Sequence, residues 1–116
     1  MKTRTTTCLA IAVATFLLSG PGRAFTDEEN KDYELTTSCA ALASFYEGRN
    51  EMGSTAWHSW NHIYGHLYDQ ARETGRPVKS IDAEISKKRK KLEVGMVRLR
   101  DQDPLCHDLF DRYRNH

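Results

Sequence analysis

Two cysteines near opposite ends of a short domain restrict this chain more than any other feature. The sequence has 116 residues and three cysteines, Cys8, Cys39 and Cys106. Cys8 begins an apolar run that reaches Leu18 and is broken only by Thr15; Lys2 and Arg4 precede it. Gly22-Arg23-Ala24 then places small residues at the two positions a signal peptidase inspects. The pattern predicts a secretory signal over residues 1–24, cleaved after Ala24. The run is shorter than the roughly 20 residues a bilayer span needs, and no later segment approaches that length. The alternative is an uncleaved signal anchor. Thr5, Thr6 and Thr7 argue against lipidation of Cys8, because a lipidation site needs Leu and small residues there.

Cys8 leaves with the signal, and residues 25–116 keep Cys39 and Cys106 as a single domain. In an exported chain this short, two thiols are expected to pair. The alternatives are two free thiols, or a soft metal pair in which His107 assists Cys106. A bridge closing so long a loop contributes up to about 4 kcal/mol by the chain-entropy relation. That is a large share of the roughly 5–10 kcal/mol that holds a small domain together. The fold must therefore bring the two ends of the domain together.

Between the cysteines the pattern is helical throughout. Thr26-Asp27-Glu28-Glu29 reads as a capping box that starts a helix running to about Gly48. Its apolar stripe is Leu35, Cys39, Leu42 and Tyr46, and Ala40, Ala41 and Ala43 allow a neighbouring helix close approach. Ser54 or Thr55 caps a second helix to about Thr74, with Gly75 as its stop. Gly65 lies mid-helix and marks a place where something packs closely. A third helix, with Pro77 in its first turn or Ser80 as its cap, is expected to reach about Arg100 on the stripe Val78, Ile81, Ile85, Leu92, Met96 and Leu99. Lys88 or Arg89 occupies the layer between Ile85 and Leu92. Either a basic stem runs along the bundle edge there, or the core is interrupted. Asp103-Pro104 reads as the start of a short last helix carrying Leu105, Cys106, Leu109, Phe110 and Tyr113. The fold class is all-α: a small four-helix bundle, three longer helices and a short C-terminal one, stapled by one disulfide.

Chemistry-bearing residues concentrate in Trp57–Tyr68. At about 100° per residue, Trp60, Ile63, Leu67 and Ala71 fall on one side of the second helix, and Tyr64, Trp57 and Tyr68 widen that sector. The sector is broader than two neighbours usually cover, which leaves Trp57 and Tyr68 at its margin for a partner. His58, His62 and His66 share the opposite side with Asp69 and Glu73. Histidines one turn apart can chelate Zn²⁺, Cu²⁺ or Ni²⁺, and Asp69 could add an oxygen. Three neighbouring imidazoles could also make a pH-responsive patch. The plain alternative is a solvated face that happens to use histidine. The aromatics, likewise, are more simply core than a ligand pocket.

Several classes are disfavoured. No nucleophile elbow, phosphate loop, zinc-protease motif or haem-attachment motif is present, and no carboxylate sits in an apolar run that would tune it for acid–base work. The expectation is a non-enzymatic protein without a cofactor. The net charge of +1 belongs to the leader, since losing Lys2, Arg4 and Arg23 turns the remainder slightly acidic. Nothing in that balance calls for nucleic acid or an anionic surface. The run Lys87–Lys91 is then a solvated helix surface, or a contact for anionic lipid or an acidic partner. In size, export, helicity and a single disulfide the chain is similar to small stapled periplasmic proteins, a group that includes acid-stress chaperones and immunity proteins. No motif carries the likeness, so it transfers no residue. The leading expectation is a periplasmic or secreted protein that binds another protein, as an immunity or inhibitor protein does, without stable membrane insertion. The alternatives are an acid-stress chaperone and weak metal binding through the histidine row.

Overall fold

The computed structural model describes residues 24–115. The signal expected over residues 1–24 therefore falls, except for Ala24, outside the described residues. Four helices follow one another: α1 (Asp27–Gly48), α2 (Thr55–Arg72), α3 (Val78–Glu93) and α4 (Leu99–Arg114). No strand occurs among the described residues.

The arrangement is built around α1. Its start is the expected capping box: the Glu29 amide donates to Thr26 Oγ1 at 3.1 Å, and the Thr26 amide donates to Glu29 Oε1 at 2.8 Å. Asp27, Glu28 and Glu29 stand at the positive end of the helix dipole. The middle of α1 is buried over most of its circumference: Thr36, Thr37 and the unbroken run Cys39–Ser44. A helix buried this widely is a central one, and small side chains let several neighbours approach its axis. The alanines do this on more than the one face the sequence indicated, for α1 packs against α2, α3 and α4. α3 and α4 scarcely meet one another. The strip of α1 between them stays partly open, which is why Leu35, expected in the core, is exposed.

Cys39 and Cys106 form the disulfide, with Cα atoms 5.5 Å apart and a sequence separation of 67. Both are fully buried, so the staple lies inside the bundle and fixes α4 to the centre of α1. Around it gather Leu42, Ile63, Leu67, Ala71, Ile81, Ile85, Leu92, Leu109 and Phe110.

Two boundaries differ from expectation. α3 ends at Glu93, not near Arg100. Gly95 adopts φ +79, the Met96 amide donates to the Lys91 carbonyl at 2.9 Å, and the Gly95 amide donates to the Leu92 carbonyl at 3.2 Å. These two bonds are a Schellman closure, which needs a residue free to take the left-handed region. Met96 thus leaves the stripe and stands exposed, as does Val78 at the other end of α3. The second difference follows from the first. α4 starts at Leu99, and Pro104 lies inside it rather than at its first turn. Elsewhere the stops hold: Ser54 Oγ accepts the Trp57 amide at 3.2 Å, and Gly75 follows α2 with φ +87. Pro77 stands at the N-cap of α3, one position before the first turn expected for it, and Ser80 lies inside the helix.

The layer between Ile85 and Leu92 resolves in favour of an interrupted core. Lys88 Nζ donates to Thr37 Oγ1 at 2.7 Å, to the Glu34 carbonyl at 3.0 Å, and to the Glu34 carboxylate. Glu84 lies 3.5 Å away, and the lysine side chain is only 14% exposed. One residue on, Arg89 donates to Ser44 Oγ at 3.0 Å. Thr37 and Ser44, two of the buried hydroxyls of α1, are thus acceptors for the cations of α3, as buried polar groups require.

Candidate functional site

α2 presents two different edges. Ile63, Leu67 and Ala71 are fully buried against α1, as the wheel places them. Trp60 is half-buried in an aromatic stack, 4.8 Å from Tyr46 and 5.1 Å edge-to-face with Phe110. It therefore joins the helices and is not free for a partner.

The margin of this sector carries the half-exposed residues Trp57, Tyr64 and Tyr68. Their spacing in sequence, seven and then four, sets them on one line along α2. The Tyr64 and Tyr68 rings stack at 6.0 Å. Tyr68 donates its hydroxyl proton to Asp82 Oδ1 of α3 at 2.6 Å. That hydrogen bond, with a smaller contribution from burial, pushes the Tyr68 phenol up to about 12. Burial raises Tyr64 as well, assisted by the charge of Asp82. Trp57 meets His58 edge-to-face at 5.0 Å. Asn61, on the turn after Trp57, donates to Glu47 Oε2 of α1 at 2.6 Å. The ridge is thus aromatic, partly exposed and held at both ends by bonds to other helices.

The histidine side is less uniform than the wheel suggests. His58 and His62 are exposed, whereas His66 is half-buried, its ring parallel to that of Tyr113 at 5.1 Å. His62 and His66 stand edge-to-face at 4.5 Å. Asp69 lies 3.9 Å from Arg72. A shallow depression of about 270 Å³ is lined by Asn61, His62, Gly65, His66 and Asp69. No group of three His, Cys, Asp or Glu side chains among the described residues is placed to hold a metal ion. The structure brings His62 and His66 together and leaves His58 beside Trp57. Gly65 meets nothing: a side chain built there would enter open space, contrary to the close packing expected of it.

Sequence reasoning did not single out two polar connections. Tyr113 donates to Gln70 Oε1, and Gln70 Nε2 donates to Thr36 Oγ1 at 2.8 Å, so one chain of bonds crosses α4, α2 and α1. Arg76 lies between two aromatic rings, its guanidinium carbon 3.9 Å from the centroids of both Phe25 and Tyr33, and it donates to Asn30 Oδ1 at 2.5 Å. A buried Thr in a run of small residues is a usable signal for the first. The second joins residues too far apart in sequence for periodicity to link. No family model, no curated protein and no solved structure matches the chain.

Proposed function

We propose that this chain is an exported, non-enzymatic helical protein that binds another protein through the aromatic edge of α2, in the manner of an immunity or inhibitor protein. The observation that carries the reading is the row Trp57, Tyr64 and Tyr68, half-exposed and anchored by the Tyr68–Asp82 bond. Rigid aromatic side chains that bury only part of their surface in their own fold lose little conformational freedom on binding, and they dominate contact energies at interfaces. The internal staple and the cross-helix bonds supply the rigid support such a surface needs. Charged groups beside the row, Glu47, Asp82 and Arg89, would provide the polar rim.

The test compares two faces of one helix. Wild-type protein, Trp57→Ala and His62→Ala are immobilised and exposed to an envelope extract. A partner retained by wild type and His62→Ala but lost from Trp57→Ala supports the reading. Retention of the same partners by all three, or of none by any, removes it.

A further inference from the structure

The near-neutral net charge hides a local excess of base over residues 90–100. At the end of the bundle where α1 and α3 finish, two loops emerge, 49–54 and 94–98. The second is an apolar turn, Val94-Gly95-Met96-Val97, with Val94 63% and Met96 73% exposed. Lys90 and Lys91 precede it and Arg98 and Arg100 follow it; Lys91 is half-buried and the others are exposed. Arg49, from the cap of α1, lies over the Phe45 ring at 5.1 Å and lines the same open concavity of about 600 Å³ as Leu92, Leu99 and Arg100. Of the acids at this end, Glu93 is 3.6 Å from Arg89, Asp103 accepts the Tyr46 hydroxyl and Glu47 accepts the Asn61 amide, while Glu51 and Asp101 stand exposed. Met52, 80% exposed, stands on the neighbouring loop.

The chain therefore carries an exposed apolar turn flanked by more cations than acids. From this we infer that the α3–α4 turn docks on an anionic bilayer surface, with Val94 and Met96 entering the headgroup boundary and Arg49, Lys90, Lys91, Arg98 and Arg100 facing lipid phosphates. The occupant follows from charge and shape. The side chains project from a tight glycine-closed turn, so a rigid protein partner would need a preformed socket of matching shape, whereas a bilayer accommodates a projecting side chain by displacing lipid. The surrounding charge is cationic, which an anionic leaflet complements and a neutral one does not. No helix among the described residues is long and apolar enough to cross a membrane, so the contact is one of surface docking. It involves a different face from the aromatic row and stands independently of it.

The experiment is co-sedimentation of the full chain with vesicles of phosphatidylcholine alone and of phosphatidylcholine with an equal part of phosphatidylglycerol. Residues 1–23 are common to every protein compared, so the quantity read is the increment that phosphatidylglycerol brings. Wild type is measured beside Val94→Ser/Met96→Ser, Arg98→Gln/Arg100→Gln, and Lys31→Gln/Lys79→Gln, which removes the same charge at the opposite end. Retention of helicity by circular dichroism and of the disulfide shows that each variant folds. Each cation near an anionic surface is worth about a fivefold factor in partitioning, so the arginine pair is expected to lower the increment on the order of 25-fold. The serine pair lowers it as well, raised salt abolishes it, and the distal lysine pair leaves it within about twofold. Equal loss in the distal pair would reduce the effect to net charge and overturn the proposal, as would full retention by both loop variants. Two further outcomes overturn it: displacement by inorganic phosphate beyond that by chloride at equal ionic strength, which would assign a phosphate site, and loop-dependent binding of polyglutamate without a vesicle increment, which would assign an acidic protein.

Discussion

The two sides of α1 are held by different physics. Toward α2 and α4 it meets Ile63, Leu67, Cys106 and Phe110, an apolar contact closed by a covalent bond. Toward α3 it meets Ile81 and Ile85, then the polar layer in which Lys88 and Arg89 reach Thr37 and Ser44, then Leu92. Apolar packing is non-directional and tolerates sliding; hydrogen bonds from a charged head group are directional and strong. The first side supplies most of the cohesion. The second selects a single register for α3, since moving it by one turn would part Lys88 from Thr37 and Arg89 from Ser44. The difference teaches that a helix can be central without being uniformly apolar, provided its buried hydroxyls meet donors on the neighbour.

Experiments that break this contrast differ in size. Replacing Cys39 and Cys106 by alanine removes the covalent side, and urea unfolding is expected to show a loss of up to about 4 kcal/mol. A loss below 1 kcal/mol would mean that packing alone holds α4 on α1. Next comes a matched pair of truncations. Ile63→Ala, on the apolar side, should cost about 3 kcal/mol. Lys88→Ala, on the polar side, should cost about 2 kcal/mol, because Thr37 and the Glu34 carbonyl lose a charged donor. Lys88→Met should cost less than about 1 kcal/mol while broadening the amide spectrum of α3, the signature of a layer that specifies register more than stability. Equal losses for the alanine and methionine variants would contradict that assignment.

The smallest effect is alkaline. Tyr68 bonds Asp82 across α2 and α3, and Tyr46 bonds Asp103 across α1 and α4 at 2.7 Å, so each side of the bundle has one such strap. Both phenols are pushed up to about 12 from 10.0, Tyr46 by burial first and then by the bond to Asp103. A raised folded-state pKa means that the folded protein holds the proton more tightly. The stabilisation is therefore fully present below pH 10 and is lost as pH rises from 10 through 12. Phenolate absorbance should show Tyr46 and Tyr68 titrating late, beside Tyr33 and Tyr64, which burial also raises, and Asp82→Asn should bring Tyr68 back toward 10. An unchanged titration in that variant would sever the link between Asp82 and Tyr68.

Much of this fold is legible in the sequence because its signals are local. The Thr26–Glu29 box, the Ser54 cap, the stops at Gly48 and Gly75 and the buried line Ile63, Leu67, Ala71 depend on residues within a few positions of one another. The cysteine pairing is legible because only two thiols, Cys39 and Cys106, lie in the helical part of the sequence. The end of α3 is not, because Met96 and Leu99 continue the stripe through the turn that Gly95 makes, and a continued period outweighs a single glycine on a wheel. Asp103-Pro104 misleads for the same reason: it has the chemistry of a helix start, yet α4 begins five residues before the proline. Leu35 fails as a core residue because its exposure depends on α3 and α4 standing apart, which no local pattern encodes. In the candidate site, the wheel places Trp57 and Tyr68 at the margin, but the hydroxyl partner of Tyr68 lies on another helix. The split of the histidine row likewise depends on Tyr113 arriving from the far end of the chain.

The guanidinium of Arg76 between Phe25 and Tyr33 has a dynamic consequence. Helix starts ordinarily fray, and their first amides exchange with solvent almost freely. Here the residue before the capping box is clasped to the α2–α3 loop, and that loop cannot move without taking the start of α1 with it. Opening of the first turn of α1 is thereby coupled to opening of a loop some fifty residues away. Hydrogen exchange at the two places should rise and fall together, which would make the beginning of the domain a cooperative part of it and not a loose end.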